Sequence, residues 1–115
     1  MLYTVHHNMT TTLFDNLRLE LRRGCLVIAV LAELQDEQYG YSLRKALNDD
    51  GLSIDQGTLY PLLRRLEQQG LLTSVWREEE NRQKRFYRLS AEGKVVLKLL
   101  LTEWKSINNS IKSII

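Results

Sequence analysis

The chain has one cysteine and one proline in 115 residues, two histidines, and a formal net charge of only +2 at pH 7. Each shortage excludes something. A lone Cys25 forms no intramolecular disulfide. Its place in the apolar run Cys25-Leu26-Val27-Ile28-Ala29-Val30-Leu31 reads as a small buried hydrophobe rather than a reactive thiol. His6 and His7 are adjacent, so neither a helix nor a strand brings both to one ion, and no further His completes a ligand set. With one Pro and six Gly there is no low-complexity linker. The apolar run is shorter than the roughly 20 residues that cross a bilayer, and it lies too far from a basic N-terminus to be a signal peptide. The expectation is a cytoplasmic protein with no membrane contact, no metal and no cofactor. No Gly-rich phosphate loop and no nucleophile with a base at meaningful spacing is present, and the acidic runs Asp49-Asp50 and Glu78-Glu79-Glu80 read as solvated. The chain is therefore not expected to be an enzyme.

What remains is a chain of 43% hydrophobic and 26% charged residues, enough for one domain with a modest core. Residues 1–11 have no helical period and read as a flexible N-terminal tail. From Thr12 the pattern turns helical, with Leu13, Phe14, Leu17 and Leu21 on one side; a second, nearly all-apolar helix is expected from Arg22 to Leu34. A short helix carrying Leu43, Ala46 and Leu47 ends at the turn signal Asn48-Asp49-Asp50-Gly51, and Leu52-Ser53-Ile54 reads as a strand stub.

Asp55 reads as an N-cap, followed by Leu59, Leu62, Leu63 and Leu66 at i, i+3, i+4 and i+7, with Gly70 as the C′ residue. Pro61 taken alone favours a helix that begins at Pro61 itself; the leucine stripe favours the longer helix. After Gly70 the period changes. Leu72–Trp76 and Phe86–Leu89 read as strands around a charged tip from Arg77 to Arg85, with Trp76 as core. The last segment opens with a Ser90 cap and carries Gly93, Leu97, Leu100, Trp104, Ile107, Ile111 and Ile114 spaced alternately by four and three, a heptad seam. A helix of about 25 residues spans roughly 37 Å, more than so small a domain covers, so the seam calls for the same helix of a second copy.

The fold class is thus mainly α with a small β-hairpin: a winged helix-turn-helix over 12–89 and a long C-terminal dimerisation helix over 90–115. The leucine-backed helix presents Arg64, Arg65 and Gln68 outward, with Gln56 and Thr58 near its N-terminus, a form suited to a major groove about 12 Å wide. An ordinary surface helix has the same composition. Arg82, Lys84, Arg85 and Arg88 follow one another with no acid between them, a density suited to phosphate. Pairing of these cations with Glu78, Glu79 and Glu80 is the competing reading, and the two can coexist. Trp104 on the seam reads as dimer packing, or as a platform where a planar aromatic molecule stacks between two copies.

The stretches Leu21-Arg22-Arg23-Gly24, Tyr39-Gly40-Tyr41-Ser42-Leu43, Gly57-Thr58-Leu59-Tyr60-Pro61-Leu62-Leu63-Arg64-Arg65-Leu66-Glu67, Gly70-Leu71-Leu72 and Tyr87-Arg88-Leu89-Ser90-Ala91-Glu92-Gly93 resemble the PadR family of transcriptional regulators, from about Leu17 to the C-terminus. The resemblance is to compact members with a single C-terminal helix. It implies a homodimer on a roughly palindromic DNA operator, repression of a nearby gene, and relief by a small aromatic effector. By position it implies DNA contacts from Gln56, Thr58, Tyr60 and Arg64, wing contacts from Arg82, Lys84 and Arg85, and a backbone-facing or packing role for Tyr41. It places Trp104 where an aromatic lines an inter-subunit pocket, and it favours the helix that starts before Pro61. The alternative is a winged helix that binds protein and not specific DNA, since fold alone does not settle function.

Overall fold

The computed structural model describes residues 2–115, with side chains from residue 8 onward, so the side chains of His6 and His7 lie outside the described residues. The elements run α1 (Leu2–Glu33), β1 (Gln38–Tyr39), α2 (Gly40–Asp49), α3 (Gln56–Gln68), β2 (Leu72–Glu79), β3 (Arg82–Leu89) and α4 (Ala91–Ile114). The strands form an antiparallel sheet in the order β1-β3-β2. This is a winged helix with two long helices projecting from it.

Three expectations are corrected at the N-terminal end and in the α2–α3 loop. The segment 1–11, expected as a tail, is helical from Leu2, and the expected break near Arg22 is absent: α1 is one helix of 32 residues. It contains no Pro, and Gly24 costs a helix interior only about 1 kcal/mol, so nothing in the segment stops propagation. Leu52-Ser53-Ile54 is not a strand. It is a loop held by Asn48, which accepts from the Ile54 N–H at 3.0 Å, and by Arg22, whose guanidinium donates to the Ser53 carbonyl at 2.6 Å.

Both ends of α3 form as read. Asp55 Oδ1 accepts from the Thr58 N–H at 2.8 Å, and Gly70 sits beyond the last turn at φ 82°. Pro61 lies inside the helix. Leu59, Leu63 and Leu66 are buried against Leu43 and Leu47 of α2, Val30 and Leu31 of α1, and Leu72, Tyr87 and Leu89 of the sheet. A three-helix core closed by a hairpin is the result.

The wing is longer than expected. β2 and β3 pair from Leu72↔Leu89 out to Glu79↔Arg82, which leaves a tip of only Glu80 and Asn81, at φ 53° and 63°. Two consecutive positive φ values make the turn whose twist suits a tight hairpin. Trp76, expected in the core, is 62% exposed, because the extended β2 carries it beyond the reach of α3.

The heptad seam divides. Gly93 and Leu97 are buried within the chain itself and Leu100 is half-buried, so Leu97, expected in a dimer interface, is not free to meet a second copy. Below them Trp104, Ile107, Ile111 and Ile114 are exposed. The projecting part of α1 mirrors this, with Leu13, Phe14, Leu17 and Leu21 each at least 60% exposed. The radius of gyration is 17.5 Å, against about 13 Å for a compact chain of this length.

Candidate nucleic-acid interface

α3 carries four of the residues expected to contact DNA, Gln56, Thr58, Tyr60 and Arg64. Its leucine face is consumed by the core, so Gln56, Gly57, Thr58, Pro61, Arg64, Arg65 and Gln68 are left facing solvent. Two stripes separate on that surface. Thr58, Pro61, Leu62 and Arg65 border a cleft shared with Arg23 and Leu26 of α1. Arg64 and Tyr60 turn the other way, close enough to the buried Tyr87 to bear on its ionisation. Burial holds the Tyr87 hydroxyl above its ordinary value of 10.0, with the Arg85 cation opposing that effect. It therefore stays protonated at neutral pH and acts as packing.

Tyr60 is half-buried and lies on the backbone of Gly40 at the start of α2. A Cβ at position 40 would come within 2.8 Å of the Tyr60 ring. The absence of that Cβ lets α2 and α3 approach closely, with the Tyr60 ring packed on the Gly40 backbone. Tyr41, in the same turn of α2, is 55% exposed; it stacks beside Tyr39 at 6.4 Å and lies under the Arg44 guanidinium at 5.8 Å.

The strand period sorts the wing cations that the sequence presents as one cluster. Side chains alternate along a strand, so Arg82, Lys84, Phe86 and Arg88 share one face of β3, while Arg85 and Tyr87 share the face toward α3. Lys84 lies 4.4 Å over the Tyr39 ring and within 3.6 Å and 3.8 Å of Glu79 and Glu80. Its side chain is only 16% exposed. Arg77 pairs with Glu37 and covers the Phe86 ring at 4.0 Å. Arg85 donates to Glu67 of α3 at 2.7 Å and to Ser74 at 2.9 Å, while Ser74 donates to the other Glu67 oxygen at 2.5 Å.

The structure thus brings Tyr41, Arg82 and Lys84 around one recess that also includes Tyr39 and Glu80. It leaves Gln56, Thr58, Arg64 and Arg82 exposed, and it engages Lys84 and Arg85 in ion pairs. Sequence reasoning missed Glu67. The signal was a carboxylate on a helix whose open face otherwise carries arginines, three residues after Arg64.

A family model described as the transcriptional regulator PadR-like family matches residues 27–99. The chain belongs to this family. A PadR family transcriptional regulator from Eggerthella lenta DSM 2243 has the same fold at TM-score 0.85 and 40% identity, covering 92% of this chain and 95% of that one. A PadR-like transcription factor from Bacteroides fragilis matches at TM-score 0.75 and 30% identity over 88% of this chain and all of the other. Among curated proteins, the transcriptional regulator Rv3488 of Mycobacterium tuberculosis is 37% identical over 79 residues, 68% of this chain and 74% of its own length. The chain is accordingly a transcriptional regulator of the PadR type and not an enzyme. No helix among the described residues is long and apolar enough to cross a membrane.

Proposed function

We propose that this PadR-type protein binds double-stranded DNA as a homodimer and represses transcription until a small planar aromatic effector releases it. The observation that carries this reading is α3, a helix buried on one side by leucines and open on the other through Gln56, Thr58 and Arg64, with Arg82 exposed at the tip of the adjacent wing. Side chains near the N-terminus of such a helix reach base edges, and the free N–H groups there suit phosphate. Tyr41, Tyr60 and Lys84 border this surface and supply its flanks.

The dimer rests on exposed apolar residues. Phe14, Leu17 and Leu21 of α1 and Trp104, Ile107, Ile111 and Ile114 of α4 are uncovered in the protomer, and monomers rarely leave large contiguous apolar patches open. Between α1 and α4 lies a recess of about 490 Å³ lined by Leu21, Cys25, Leu100, Trp104, Ile107 and Ile111 among others, within the range that holds small ligands. Planar aromatics are expected to quench Trp104 fluorescence and lower DNA affinity together. Trp104→Phe, which keeps an apolar ring on the seam, keeps DNA binding and weakens the response; an unchanged response would place the effector elsewhere.

In anisotropy titrations, Arg64→Ala is expected to weaken the preferred duplex by about 1–3 kcal/mol while changing a scrambled duplex little, as a base-reading side chain does. Arg82→Ala is expected to weaken both and to reduce the salt slope by about 0.9 for each phosphate it no longer neutralises. Equal losses on both duplexes from Arg64→Ala would remove it from base reading.

A further inference from the structure

One cation of the wing is held by α3, the helix proposed to read DNA. Arg85 lies on the face of the wing turned toward α3, and its side chain is 34% exposed. Its cross-strand neighbour Trp76 is 62% exposed, so this face opens to solvent just beyond Arg85. Yet both guanidinium donors with assigned partners point inward: Nη2 to Glu67 Oε1 at 2.7 Å and Nε to Ser74 Oγ at 2.9 Å. Ser74 closes the ring through its own 2.5 Å bond to Glu67 Oε2. The Arg85 guanidinium also lies 5.4 Å from the Tyr87 ring and 5.7 Å from the Trp76 ring.

An unpaired arginine on that open edge, between the wing and the helix proposed to read DNA, is free to grip a phosphate. Such a contact strengthens binding to every sequence equally, because phosphate carries no sequence information. A carboxylate that occupies the arginine removes this indiscriminate term and leaves the base-reading side chains of α3 to decide affinity. The carboxylate also repels phosphate by itself. The Arg85–Glu67 pair is a single charge-assisted bond, and Ser74 fixes its geometry by accepting from the arginine Nε while donating to the other carboxylate oxygen.

We propose that Glu67 is a specificity-determining positioning residue: through the Glu67–Arg85–Ser74 ring it withholds Arg85 from DNA phosphate and so lowers non-specific affinity. This rests on the DNA-binding function proposed above, which it deepens. Arg85, read from the sequence as a wing contact, is thereby assigned to the protein's own frame, and Arg82 is left as the exposed cation beside the wing's tip.

The test is the salt dependence of binding to a labelled duplex of random sequence, for the full chain and for Glu67→Gln, Glu67→Ala, Arg85→Ala and the double variant Glu67→Ala with Arg85→Ala. Glu67→Gln keeps the size of the side chain and a serine partner, which guards against a folding defect. Releasing Arg85 adds one phosphate contact per protomer, so the slope is expected to steepen by about 0.9 per protomer, and a dimer to lose about twelvefold more affinity than wild type between 50 and 200 mM salt. At low salt both Glu67 variants bind random duplex more tightly. Arg85→Ala alone leaves the slope where wild type has it, and added to Glu67→Ala it restores the wild-type slope. A purely structural role for Glu67 would change stability without this Arg85-dependent slope. If Arg85→Ala alone flattens the slope as much as Arg82→Ala does, or if the Glu67 variants keep the wild-type slope, the proposal is overturned. Wild-type preference between selected and random duplex, measured in the same series, separates this outcome from failure of the DNA-reading function itself.

Discussion

Replacing Ile107 and Ile111 together with Asp is expected to convert the protein to monomers and to weaken operator binding by a hundredfold or more. The two isoleucines are 50% and 51% exposed in the protomer, so their replacement removes nothing from its core. Leu97, on the same helix face nearly three turns before Ile107, is the buried one at 4% exposure. In a dimer the added carboxylates would be desolvated against apolar neighbours such as Trp104, at a cost of several kcal/mol per unpaired charge. A dimer engages the second half-site at high effective concentration, which raises affinity by about 10²–10⁴ over one half-site. Sedimentation velocity checks the first part and anisotropy the second, with circular dichroism to confirm a folded monomer. A dimer that persists would take the α4 seam out of the interface and leave it to the exposed Leu13, Phe14 and Leu17 of α1.

Gly93→Ala is expected to be the most damaging single methyl in the chain. A Cβ there would stand 2.1 Å from the Leu71 carbonyl oxygen and 3.0 Å from a Leu89 methyl. The first of these is backbone and cannot rotate away. It also belongs to a tight junction, where the Ser90 N–H donates to that same carbonyl at 3.0 Å and Ser90 Oγ donates to the Gly70 carbonyl at 2.6 Å. Relief requires α4 to lift off the start of β2, with loss of those bonds and of Leu97 packing. We expect a loss of about 3 kcal/mol or more, from overpacking and broken hydrogen bonds combined, and a melting temperature lower by roughly 10–15 °C. Thermal unfolding of the folded variant measures this; a shift below a few degrees would show that the junction yields easily.

Much of this architecture was legible because its signals are local. The Asp55 cap, the Leu59-Leu62-Leu63-Leu66 stripe and the Gly70 stop each depend on neighbours within two turns, and all three appear in the structure. The joined helix at Arg22 was not legible, because a change of polarity along a helix resembles a boundary when no partner surface is in view. The split of the heptad seam was hidden for a related reason. Periodicity gives the face of α4, but only the approach to Leu71 shows that Gly93 and Leu97 face their own protomer. Within the candidate site, Arg82, Lys84 and Arg85 are close in sequence, and a loop would present them together. As strand residues they alternate, and their fates are then set by Glu79, Glu80 and Glu67, pairings that composition does not encode. Gly40 beneath Tyr60 is likewise a contact between separate helices, visible only once α2 and α3 are packed.

The central claim is that two copies of α3 read DNA together. Selection of binding sites by the full-length protein from a random duplex pool tests it most directly. The expected result is enrichment of an inverted repeat with half-sites about one helical turn, or roughly 34 Å, apart. Recovery of no common sequence at salt where the duplex still binds, or of a single unrepeated site, would contradict it.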